Sequence, residues 1–71
     1  MKILVVGAGS VGGALCILLA KEKAINSVIC CDIKERKFKN KKIKFVKADI
    51  SDKKGFAKFL NKIKPGFVIN A

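Results

Sequence analysis

Gly7-Ala8-Gly9-Ser10-Val11-Gly12 sets three glycines in the pattern GxGxxG. An apolar run, Lys2 to Val6, comes directly before it, and a segment with helical spacing comes directly after it. Each glycine meets a different need. Gly7 permits a tight turn out of a strand. Gly9 has no side chain, so a pyrophosphate can approach the backbone. Gly12 lets the following helix lie close to a sheet. The helix start adds free N–H groups and a partial positive charge, which together favour phosphate. Ser10 and Val11 stand inside the turn and complete its phosphate-facing stretch. Asp32 lies 20 residues beyond Gly12, at the end of the next apolar run. That is the spacing of a carboxylate that accepts hydrogen bonds from the two hydroxyls of a ribose. Glycine turn and acidic residue together point to a dinucleotide. A carboxylate at position 32 repels a 2′-phosphate, so NAD is expected in preference to NADP. Lys34 or Arg36, just past Asp32, would be the partners of a 2′-phosphate in the less favoured NADP case.

These residues need a framework of strands and helices. Continuous apolar runs suit parallel strands buried on both faces. Lys2 to Val6 and Val28 to Cys31 are such runs, and Ile43 to Val46 alternates weakly, as a strand nearer an edge would. Between the first two, Val11 to Lys23 reads as a helix whose apolar residues are Val11, Leu15, Leu18 and Leu19. Residues 33–42 are polar and mostly cationic. Ser51 is the expected N-cap of a second helix, with Asp52 at its positive end. Phe56, Phe59, Leu60 and Ile63 then fall at i, i+3, i+4 and i+7, one apolar stripe of an amphipathic helix. Pro65-Gly66 stops it, and Phe67 to Asn70 forms the last strand. Strands alternating with helices imply a parallel sheet with right-handed crossovers. The expected fold is α/β, a partial Rossmann sheet of strand order 3-2-1-4. The chain reads as the N-terminal half of a dinucleotide-binding domain that stops after the fourth strand, without the rest of the fold or a substrate domain.

Composition narrows the functions. The chain of 71 residues has no His, which removes Ser-His-Asp and Cys-His nucleophile pairs and Cys/His zinc sites. No apolar run approaches the ~20 residues of a membrane span. Three cysteines, an odd number without a CxxC, read as reduced apolar filler in a cytoplasmic protein. Cys30 and Cys31 are adjacent in a strand and should point to opposite faces. Lys and Arg number 16 against 5 acidic residues, a net charge of +11. Such a charge attracts nucleic acid without sequence preference. Yet the lysines spread over helix faces and loops alike, so a solvated surface is the preferred reading over a nucleic-acid patch.

Three segments carry a family resemblance: Lys2–Leu15 (KILVVGAGSVGGAL), Val46–Asp52 (VKADISD) and Lys64–Ala71 (KPGFVINA). Together they resemble the N-terminal NAD(P)-binding portion of the saccharopine dehydrogenase-like Rossmann oxidoreductases. The last segment is also similar to short-chain reductases and sugar-nucleotide epimerases. Those space their glycines GxxGxxG, however, and Ser10 stands at the middle position of that pattern. The resemblance implies that Asp49 and Ile50 line the adenine pocket, Asp49 through a side-chain hydrogen bond and Ile50 through contact. It also places Asn70 and Ala71 beside the cofactor. The implied parent reaction is nicotinamide-dependent oxidation or reduction at an amine-bearing carbon, and no residue here can be nominated as its acid or base. A non-catalytic nucleotide-sensing module uses the same glycine turn and remains an alternative. The outer edge of the last strand, Phe67 to Asn70, is expected to invite self-association.

Overall fold

The computed structural model describes all 71 residues. Four strands and two helices follow one another: β1 (Lys2–Val6), α1 (Ser10–Ala20), β2 (Ser27–Asp32), β3 (Ile43–Lys47), α2 (Lys53–Ile63) and β4 (Phe67–Asn70). The sheet runs β3-β2-β1-β4 and every pairing is parallel. Leu4 stands opposite Ile29 on one side and Val68 on the other. The expected strand order is therefore present. β1 is central because its apolar run can be buried on both faces.

Side-chain alternation along the strands splits the core in two. Ile3, Val5, Val28, Cys30 and Ile43 face α1, where Cys16 and Ala20 meet them. Leu4, Val6, Ile29 and Cys31 face the other way, and Phe56, Phe59, Leu60 and Ile63 of α2 lie over them. Cys30 and Cys31 do point to opposite faces. All three cysteines are buried and unpaired. Burial is the main cause that raises their thiol pKa values, and it pushes Cys30 up to about 12. They are fillers, protonated at neutral pH.

The two helices sit differently. In α1 the buried residues are Gly12, Gly13, Cys16 and Ala20, all small. Leu15 and Leu19 flank that strip against the core. Val11 and Leu18, expected on the packing stripe, are instead 71% and 60% exposed. The helix is apolar on every side, so periodicity does not select its inner face; the small residues do, because they allow close approach. The helix also stops at Ala20, short of the expected Lys23. Helix α2 has no fully buried residue and rests on the sheet through its larger apolar stripe. Its cap is Asp52, whose carboxylate accepts from the Gly55 N–H at 3.1 Å. Ser51, the expected cap, donates its hydroxyl to Asp49 instead.

Between β2 and β3, residues 33–42 form no helix. Phe38 from this loop packs onto the α1-side core. A single aromatic ring thus covers part of the face that a crossover helix covers in a doubly wound fold.

The exposure difference between Leu4 and Leu18 gives a direct check. Leu4→Ala removes a fully buried side chain, with an expected cost of about 2–5 kcal/mol. Leu18→Ala should change stability by less than about 0.5 kcal/mol. Urea unfolding of both variants measures the gap, and equal losses would contradict the assignment of α1's inner face.

Candidate functional site

The carboxyl ends of β1, β2 and β4 converge on the glycine turn. Gly7 follows β1 with φ of 109°, a left-handed conformation that glycine adopts freely. Its N–H donates to the Cys31 carbonyl at 2.8 Å, which ties the turn to the end of β2. On the other side, Ala71 N–H donates to the Val6 carbonyl at 2.9 Å. A Cβ at Gly7 would stand 2.8 Å from the Ala71 carbonyl oxygen. One at Gly12 would overlap the Gly7 carbonyl. Both glycines are therefore demanded by the protein's own backbone.

Gly9 is different. A Cβ built there meets nothing within 4 Å. No group of the protein uses that space. Gly9 is extended and precedes α1 as a cap without a side-chain bond, and no acidic residue sits in the helix's first turn. The helical ladder begins with the Gly13 N–H donating to the Gly9 carbonyl at 2.8 Å. The N–H groups of Ser10, Val11 and Gly12 thus lie ahead of the ladder, at the positive end of the helix dipole. Ser10 and Val11 are both exposed. The open space, the free donors and the positive dipole end coincide.

Beside the turn is a cleft of about 190 Å³, lined by residues that include Gly7, Asp32, Ile33, Ala48, Ile50 and Asn70. Gly7, Asp32, Ile50 and Asn70 come together there, while Gly9, Ser10, Val11 and Gly12 lie on the adjoining turn. Asp49 does not line the cleft. Its Oδ1 accepts from the Ser51 hydroxyl at 2.6 Å and the Ser51 N–H at 2.9 Å. Those bonds hold its carboxyl below the ordinary aspartate value. Ile33, which the sequence reading passed over, is 59% exposed and lines the cleft together with the half-exposed Ile50. Its position just past Asp32 was the available signal.

Asp32 serves the framework as well as the cleft. Its Oδ2 accepts from the Ala8 N–H at 2.7 Å, and its Oδ1 accepts from Ile33 N–H at 2.6 Å and Lys34 N–H at 3.4 Å. The Ala8 bond, followed by the Ile33 bond, lowers its pKa. Arg36 reaches the same turn from the loop, donating to the Ala8 and Gly9 carbonyls at 2.8 and 3.0 Å.

A parallel 3-2-1-4 sheet, a GxGxxG turn at its carboxyl edge and an acidic residue closing β2 define an NAD(P)-binding domain of Rossmann type. Residues 3–71 match the family described as the saccharopine dehydrogenase NADP binding domain, and the chain belongs to that family. No curated protein sequence matches it. The family corrects one expectation: a preference for NAD over NADP does not stand, because the matched domain is an NADP-binding one. The Asp32 carboxylate keeps its charge, with its oxygens drawn onto three backbone donors of the framework. Arg36 brings a guanidinium to the same turn, a countercharge that repulsion by Asp32 alone leaves out.

The lowered Asp32 pKa makes the turn acid-sensitive. A carboxylate whose folded pKa lies below its unfolded value contributes stability above about pH 4 and loses it as pH falls through the folded value. The Ala8 amide resonance should titrate with a midpoint below the ordinary aspartate value. Asp32→Asn should abolish that titration. A midpoint at or above the ordinary value would contradict the bond.

Proposed function

We propose that this domain holds NADP with its pyrophosphate over Gly9, against the N–H groups that open α1, and serves as the cofactor-binding part of an oxidoreductase. The observation that carries this reading is the unused space at Gly9. Gly7 and Gly12 are explained by the fold, whereas Gly9 is explained by a ligand that approaches the backbone. Adenine fits against the apolar pair Ile33 and Ile50, with Asn70 at the cleft's far wall. With Oδ1 taken by two backbone donors and Oδ2 by one, the Asp32 carboxylate keeps a lone pair on Oδ2 for a ribose hydroxyl. Arg36 and Lys34 are the cations available to the 2′-phosphate. The reaction we assign to the parent protein is nicotinamide-dependent oxidation or reduction at an amine-bearing carbon. The present residues contribute cofactor binding to it. Three buried, unpaired cysteines support a reducing, cytoplasmic setting, and no helix is long and apolar enough to cross a membrane.

Calorimetric titration with NADP tests the reading. Gly9→Val should abolish binding while the far-ultraviolet circular dichroism stays unchanged, because the added methyl groups meet only open space in the protein. Retained affinity in the variant would show that the glycine only builds a turn.

We propose in addition that the 71-residue chain self-associates along the outer edge of β4, where Phe67 and Val68 are exposed. Unpaired strand edges with apolar side chains pair with other strands. The net charge of +11 opposes this and is screened by salt. Sedimentation should therefore show more association at high than at low salt. A monomer at both would contradict it.

A further inference from the structure

Arg36 is held from three directions. Nη1 bonds the Ala8 and Gly9 carbonyls. The guanidinium carbon lies 5.2 Å from the centroid of the Phe38 ring. That ring is itself anchored in the α1-side core, so the cation stacks on a fixed platform. The third side is Gly13. A Cβ at Gly13 would overlap Nη1 and Cζ and stand 2.7 Å from Nη2. The guanidinium occupies the volume that any other residue at position 13 would fill.

We infer that Gly13 is a notch that admits the Arg36 guanidinium, and that this notch sets the domain's discrimination between NADP and NAD. The inference rests on the reading of Arg36 as a 2′-phosphate partner. GxGxxG ends at Gly12 and makes no demand on residue 13. The three atoms nearest a Cβ at Gly13 all belong to the far end of a flexible side chain, not to backbone. Gly12 contrasts with this, because backbone atoms crowd it. A buried glycine inside a helix lowers helix stability relative to alanine, so its presence calls for a local gain. Docking of Arg36 is that gain. Both recorded bonds come from Nη1, which leaves the N–H donors of Nε and Nη2 for another acceptor. A guanidinium already fixed beside the glycine turn meets a phosphate with little further loss of side-chain freedom. Displaced by a methyl group, it would be a solvated, mobile cation.

Gly13→Ala tests this without threatening the fold, because alanine favours the helix and only a flexible side chain must move. NADP affinity should fall about tenfold, whereas NAD affinity should change by less than about twofold. Arg36→Leu should lower NADP affinity similarly, and the double variant should be no worse than Arg36→Leu alone. Equal losses for both cofactors in Gly13→Ala, or independent multiplication of the two effects, would overturn the notch. A second readout needs no nucleotide. Trypsin should cut residues 33–42 several-fold faster in Gly13→Ala than in the unaltered chain, since the loop loses its tether. An unchanged rate overturns the notch. Failure of the unaltered chain to bind either dinucleotide, with the loop still released in Gly13→Ala, would instead overturn the functional reading and with it the notch's role in discrimination.

Discussion

The close approach of Gly12 to the Gly7 carbonyl governs the functional end of this domain. No residue with a side chain fits between them. Because they meet, α1 begins directly above the carboxyl end of β1, and its first N–H groups open beside the strand ends. The small buried residues Cys16 and Ala20 continue that approach along the helix. A larger residue at either would lift α1 from the sheet and move its positive end away from the cleft.

Around that contact, the remaining parts act as ties. Asp32 fastens the end of β2 to the Ala8 amide, Gly7 to the Cys31 carbonyl, and Ala71 to the Val6 carbonyl. Arg36 closes the turn from the loop side. The carboxylate thus acts in the framework whatever it also does for a ribose. One side chain can do both because a carboxylate offers two oxygens and about four lone-pair sites.

The sheet order and the glycine turn were legible in the sequence. Continuous apolar runs, a helix in two of the three crossovers and a fixed motif spacing leave few topologies. The inner face of α1 was not legible, since a helix apolar on all sides carries no periodic signal and its packing is decided by residue size. The cap of α2 was displaced by one residue because Ser51 and Asp52 are both good caps; the turn that Asp49 makes with Ser51 decides between them. The cofactor preference was not legible for a related reason. Spacing places Asp32 at the end of β2, but it says nothing of which backbone donors its carboxylate meets, or that a loop arginine 28 residues from Ala8 in sequence would reach the same turn.

The contact between Gly13 and Arg36 becomes visible only when the loop's path is known. Phe38 determines that path by entering the core. The central claim concerns the turn itself: that the space over Gly9 and the donors that open α1 receive a pyrophosphate. Amide chemical shifts during NADP titration test it most directly. The account predicts the largest changes at Gly9, Ser10, Val11 and Gly12, saturating together. Changes confined to the lysine-rich residues 37–47, with the glycine turn unmoved, would contradict it.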